Sequence, residues 1–215
     1  LCAWAWLFFI TALTPSLSAS NSFSFIHITD THIGATNSEK ALALAISELS
    51  KLSPKPAFAI NTGDLTEIGT QKELEDYKQL IAQLDIPVYN VLGNHDTRWC
   101  DGGKLRFSTI LYSGKPYYSF DYAGCHFVGL DTSIPLEQHG LIDVEQLRWL
   151  THNFNELAPN QPVFLFLHHP PGLPDAIFLK NDVALTKLLA TYNVKLILCG
   201  HGHSNRVWFH NDIPI

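Results

Sequence analysis

An α/β fold is predicted for this 215-residue chain by three observations. Short apolar runs alternate along the chain with segments that carry apolar residues at helical spacing. The apolar runs are continuous, as strands buried on both faces read. Polar residues able to bind ligands follow the runs repeatedly, as expected where sites form beyond the carboxyl ends of strands.

The elements follow in order. "FSFIHI" (23–28) is a strand and "SEKALALAISELSKL" (38–52) a helix with an apolar stripe. "AFAIN" (57–61) is a second buried strand. Thr70 opens a helix, and Glu73 three residues on completes a capping-box pattern before "LEDYKQLIAQL". "PVYNVL" (87–92) is a third strand. "YYSFDY" and "CHFVGLD" read as paired strands joined at Ala123-Gly124. Asp143 caps "VEQLRWLTHNFNEL", whose Trp149 falls on the apolar face with Leu147 and Leu150. "VFLFLHH" (163–169) is a strand, "DVALTKLLATY" (182–192) a helix and "KLILCG" (195–200) a strand. "RVWFH" begins a last hairpin.

Composition bounds the function. Hydrophobic residues make up 46% and charged residues 16%, so the chain is globular, with enough residues for one sizeable core. The net charge of −6 disfavours a nucleic-acid track, which needs a basic stripe. Residues 1–20, "LCAWAWLFFITALTPSLSAS", are apolar as far as Leu13 and then small and polar. They fit the apolar core and cleavage region of a secretory signal and fall short of the ~20 apolar residues of a membrane span. A secreted or periplasmic location follows if that signal operates, and a cytoplasmic one otherwise. Residues 21–215 are expected to form a single domain. With no methionine, and a last segment "DIPI" that stops within a strand pattern, the chain is expected to be a fragment. Cys100 and Cys125 could pair in an oxidising compartment, while Cys125 and Cys199 also read as small buried hydrophobes.

Chemistry concentrates at five strand ends. Asp30 and His32 follow the first strand, Asp64 the second, and Asn94, His95 and Asp96 the third. His168 and His169 follow the strand at 163, and His201 and His203 the strand at 195. Each motif alone is weak, since an aspartate at a strand end is commonly a cap or turn residue. Together they put carboxylate, amide and imidazole groups on one edge. Such donors suit Zn, Fe or Mn, and the absence of thiolates argues against a structural zinc site. A pair of such ions ~3.5–4 Å apart can clamp the attacking and leaving oxygens of a phosphoester.

The order D-x-H, G-D, G-N-H-D, H, G-H-x-H resembles the calcineurin-like metallophosphoesterase superfamily. The likeness runs from about Phe25 to His203. The segments "YYSFDYAGCHFVGLDTS", "HGLIDVEQLRWL" and "HHPPG" resemble its class III cyclic-nucleotide phosphodiesterases and glycerophosphodiesterases. The resemblance implies a four-layer α-β-β-α sandwich of two mixed β-sheets, with strands beyond Ile215 missing. It implies two divalent ions, one held by Asp30, His32, Asp64 and His203 and the other by Asp64, Asn94, His168 and His201, with Asp64 bridging. His168 is preferred to His169 because the family's ligand directly follows the strand. His95 is implied as the acid that protonates the leaving alkoxide, with Asp96 holding its imidazole or serving as a plain turn residue. Arg98 either contacts substrate or faces solvent. His139-Gly140 reads as a loop turn near the pocket, and His27 as structural.

The implied activity is hydrolysis of small phosphodiesters such as 3′,5′-cyclic nucleotides. The alternatives are a secreted phosphomonoesterase, a nucleotide pyrophosphatase on the same site, or a non-catalytic binding scaffold. The expected partner is a small phosphoester, with no nucleic-acid polymer and no stable membrane span, and the resemblance admits a homodimer.

Overall fold

A computed structural model describes residues 22–99, 102–112, 114–173 and 178–215. The signal-like segment, and Cys100 as the expected partner of Cys125, lie outside these residues.

Three short strands, β1 (Ile26–Ile28), β2 (Ala59–Asn61) and β3 (Val88–Asn90), pair in parallel in that order. Ile26 stands opposite Ala59, and Ala59 opposite Val88. Parallel pairing needs a crossover between strands. Helices α1 (Ser38–Leu49) and α2 (Gln71–Ile81) provide it. The capping box that starts α2 is formed: Glu73 N donates to Thr70 Oγ1, and Thr70 N to the Glu73 carboxylate.

The second sheet has the order β4 (Tyr118–Tyr122), β5 (Cys125–Gly129), β6 (Val163–Phe166), β7 (Val194–Leu198). Its first pair is an antiparallel hairpin turned at Ala123 and Gly124, both at positive φ as a tight two-residue turn requires. The β5–β6 and β6–β7 pairs are parallel, with α4 (Val144–Asn155) and α5 (Asp182–Leu189) as crossovers. Asp143 caps α4, accepting from Gln146 N. A small hairpin of β8 (Phe209–His210) and β9 (Ile213–Pro214) closes the chain.

Alternation along each strand assigns the layers. Ile26, Ala59 and Val88 face α1, α2 and a further helix through Leu42, Ile46, Leu74, Tyr77 and Phe107. Their neighbours Phe25, Phe58 and Tyr89 face the second sheet, meeting Phe120, Phe127, Phe164 and Phe166. That interior is largely aromatic, with the Phe25 and Phe58 rings stacked at 5.3 Å and Phe127 and Phe164 at 4.9 Å. The far side of the second sheet, including Val128, Val163, Leu165 and Ile197, packs on Leu150, Phe154, Leu185 and Leu189 of α4 and α5. Trp149 joins the same cluster, as its helical phase predicts.

The four-layer order is the expected one. In detail, only the second sheet is mixed; the first is parallel throughout its three described strands, because each connection in it is a helical crossover. The sequence also does not foretell α3 (Gly103–Ile110). This helix starts at a glycine pair without a side-chain cap, and its place is set by Phe107 in the helical layer and by Lys104 Nζ, 2.6 Å from Asp131 Oδ2.

Candidate metal centre

The strand ends converge because backbone pairing continues into the loops. Thr62 N donates to Ile28 O, Asp30 N to Gly63 O and His32 N to Asp64 O, which laces the loops after β1 and β2 together. His201 N donates to the Asp30 carboxylate at 3.1 Å and so joins the loop after β7 to the loop after β1. Asp30, His32, Asp64, His201 and His203 all adopt left-handed backbone conformations, with φ between 45° and 69°. Non-glycine residues adopt this region infrequently, and strain of this kind concentrates at functional sites. The loop after β3 approaches so closely that a side chain at Gly93 would run into the Asp64 carboxylate.

Two donor groups meet at Asp64. In the first, His32 Nε2 lies 3.2 Å from His203 Nε2, 3.9 Å from Asp30 Oδ1 and 3.8 Å from Asp64 Oδ2. His203 Nε2 is 3.3 Å from Asp30 Oδ1. In the second, His168 Nε2 lies 3.2 Å from Asp64 Oδ2 and 3.1 Å from Asn94 Oδ1. One carboxylate oxygen therefore faces both groups. The His168 and His201 rings are 5.1 Å apart, and His201 Nε2 is buried without a hydrogen-bond partner. A buried imidazole nitrogen without a hydrogen-bond partner, on a ring clustered with those of His168 and His169, fits a divalent cation. All seven expected ligands thus lie in the two groups.

The far sides of the rings are anchored. His168 Nδ1 donates to Thr62 O at 2.9 Å, and His32 Nδ1 to Glu67 Oε2 at 2.9 Å. Partners of this kind fix an imidazole's tautomer and leave Nε2 free for a cation. Glu67 is the residue that sequence reasoning missed. The available signal was a second carboxylate three positions after Asp64 in "GDLTE". His169 also lies within ligand distance of His168 and His201. Both of its nitrogens are engaged, however, with Thr132 Oγ1 at 2.8 Å and Gln138 O at 3.1 Å.

Charge is distributed accordingly. Burial opposes ionisation of both Asp64 and His168, yet their contact prevails, holding the carboxyl below and the imidazole above their ordinary ranges. Burial, with the charge of His168, pushes His201 down to about 4. Burial, with the charge of His168, holds His169 well below its usual range.

His95 sits beside both groups. Its backbone N donates to Asp64 Oδ1 at 2.8 Å, its Nδ1 donates to Glu67 O at 2.8 Å, and its ring centre is 4.4 Å from that of His32. The structure corrects the expectation for Asp96. Its carboxylate turns away from the imidazole and accepts from Gly93 N, Leu65 N, Thr66 N and Thr66 Oγ1 at 2.7–3.3 Å. The tight turn in which Thr97 N and Arg98 N both point at Asn94 O folds Asp96 inward, and it is fully buried. The Glu67 carbonyl takes the orienting place. Asp96→Ala is therefore expected to cost ~3 kcal/mol of stability in urea unfolding, because it strands buried N–H groups. Wild-type stability with only a displaced pH profile of turnover would reassign Asp96 to His95. Arg98 is half-buried, its guanidinium 4.8 Å from the Trp99 ring centre. His27 bonds Thr62 Oγ1, consistent with a structural role, and His139 is 3.4 Å from Glu137.

No helix of the described residues is long and apolar enough to cross a membrane. Comparison with known proteins agrees with the geometry. The family model of the calcineurin-like phosphoesterases matches residues 23–205. A probable glycerophosphodiester phosphodiesterase, GpdQ of Arcobacter nitrofigilis, is 32% identical over 204 residues, covering 85% of this chain and 73% of that protein. A cAMP/cGMP dual specificity phosphodiesterase of Mycobacterium tuberculosis is 30% identical over 214 residues, covering 90% of this chain and 65% of that protein. The chain thus spans about two thirds to three quarters of the length of these relatives. Among solved structures, a purple acid phosphatase of yellow lupin superposes with a TM-score of 0.61 at 16% identity, over 85% of this chain and 38% of that one. The phosphopantetheinyl hydrolase PptH of Mycobacterium tuberculosis superposes with a TM-score of 0.59 at 14% identity, over 89% of this chain and 86% of that one. These superpositions establish the shared fold. With the five motifs gathered on one edge and the family model matched across most of its length, the chain belongs to the calcineurin-like phosphoesterase family.

Proposed function

We propose that this protein hydrolyses small phosphodiesters at a two-metal centre, with Fe, Mn or Zn as the ions. The observation that carries the reading is Asp64, whose Oδ2 faces a donor group on either side while its Oδ1 holds the backbone of His95. Asp30, His32 and His203 would hold one ion, Asn94, His168 and His201 the other, and Asp64 both. Bound metals would polarise the phosphoester and lower the pKa of bound water. The chain's own residues do the rest. His95, its Nδ1 tied to Glu67 O, presents Nε2 to the leaving oxygen and donates the proton there. The related phosphodiesterases support a diester substrate. A signal-like start favours a secreted or periplasmic enzyme.

The test is metal content beside hydrolysis of bis(p-nitrophenyl) phosphate by protein loaded with Mn²⁺. About two ions per chain with diesterase turnover support the reading. A folded, loaded protein that leaves aryl, glycerol and cyclic phosphodiesters intact rejects it.

Loading should also release protons. The Asp64 carboxylate 3.2 Å from His168 favours the charged imidazole and raises its pKa above the ordinary range. A cation must displace the imidazole proton, whereas His201 is already neutral near pH 7. About one proton is expected to leave His168 on loading at pH 7, and affinity should fall as pH drops. Calorimetry in buffers of different ionisation enthalpy reads this directly. Loading without proton release would remove His168 from the ligand set.

A further inference from the structure

The mouth of the site carries apolar side chains in a place where a phosphate pocket needs none. Trp99 is 50% exposed, and its ring centre is 4.7 Å from that of His95 at 68° between planes. Ile68, the next residue after the Glu67 carbonyl that anchors His95, is exposed as well. So is Leu136, whose N–H meets Thr97 O, two positions from His95. Exposed apolar residues scattered singly need no explanation; one whose ring meets that of the candidate acid does. The indole is also held in place, since the Arg98 guanidinium lies 4.8 Å from its ring centre.

We infer that Trp99 is a specificity-determining residue that stacks on a planar ring carried by the substrate, a nucleobase or an aryl group, while the phosphate lies at the metal centre. Three features separate this from a general apolar rim. The indole and guanidinium are both flat, and flat heterocycles stack on such surfaces with little regard to their hydrogen-bonding pattern. Ring and acid belong to one turn of chain, four residues apart, so a ring against Trp99 stays within reach of the atoms that His95 serves. A glycerol or ethanolamine group offers the indole no face and gains little from it. The inference rests on the phosphodiesterase reading for its place in a reaction, and on geometry alone for binding.

The experiment compares ligands that differ only by the ring. Using the full chain loaded with Mn²⁺, AMP and ribose 5-phosphate are titrated against wild type, Trp99→Ala and Trp99→Phe. Wild type should bind AMP about 10-fold to 100-fold more tightly than ribose 5-phosphate, the range that base–aromatic stacking supplies. The ratio should shrink to within about threefold in Trp99→Ala and be largely kept in Trp99→Phe. In turnover, Trp99→Ala should raise KM for 3′,5′-cyclic AMP by a similar factor and by more than it raises KM for glycerophosphoethanolamine. Equal binding of the two ligands by wild type, or a ratio that survives Trp99→Ala, overturns the inference. If no diester is turned over while the AMP preference depends on Trp99, the phosphodiesterase reading falls and the ring platform stands.

Discussion

Replacing His95 by alanine should lower phosphodiester turnover ~10²–10⁴-fold, the usual worth of a positioned general acid, and leave metal content unchanged. The separation of effects follows from the geometry. The His95 ring bonds the Glu67 carbonyl through Nδ1, and its contact with Asp64 runs through the backbone N–H, which alanine keeps. Neither donor group therefore loses a member. The effect should also depend on the leaving group. A p-nitrophenolate departs with little need of a proton, whereas a sugar or glycerol alkoxide needs one. The loss should accordingly be larger for cyclic nucleotides or glycerophosphodiesters than for bis(p-nitrophenyl) phosphate. Equal losses on both substrates would show that His95 stabilises charge and does not deliver the proton. Full activity would remove it from the chemistry.

Asp64→Ala should abolish turnover and bring metal content from two ions per chain to one or none. The Asp64 carboxylate serves three partners: His168, His32 and the His95 backbone. Truncation removes the one oxygen that faces both donor groups. It also leaves His168 without the carboxylate that keeps its imidazole charged in the metal-free protein, so that ring should become neutral. The control is Asp64→Asn, which keeps the shape and an oxygen but not the charge, and should retain partial metal binding. Plasma emission spectrometry on folded variants decides the matter. Two ions retained by Asp64→Ala would mean that the donor groups act separately, and the shared-carboxylate arrangement would have to be abandoned.

How far the fold was legible depended on how local each signal is. Thr70 and Glu73 form their capping box, Asp143 caps its helix and Ala123-Gly124 turn their hairpin, because each involves residues within a few positions. Strand identity followed from apolar runs, whereas the structure decided the faces: Phe58 goes to the inner layer and Ala59 to the outer. Helix α3 escaped notice because neither a cap nor a strong apolar period marks it. Phe107 and the Lys104–Asp131 pair hold it, and those contacts reach across the fold. His126 shows both cases, since one of its ring nitrogens bonds Asp121 opposite it in the hairpin and the other bonds Asn153 from α4.

The candidate site divides in the same way. Residue types and their position after five strands were readable, because an α/β fold delivers strand ends to one edge whatever the loops do. The sequence by itself thus determined the α/β class and the residue types at the five strand ends, and the layers came only with the family resemblance. Tertiary structure alone decided how those donors are held. It turned Asp96 inward to four loop donors, gave the orientation of His95 to the Glu67 carbonyl, brought the Glu67 carboxylate behind His32, and filled both nitrogens of His169. Each of these outcomes rests on a hydrogen bond a few ångströms long between loops separated in sequence. Such bonds are set by where the sandwich places the loops, and a one-dimensional pattern of residue types carries no record of that.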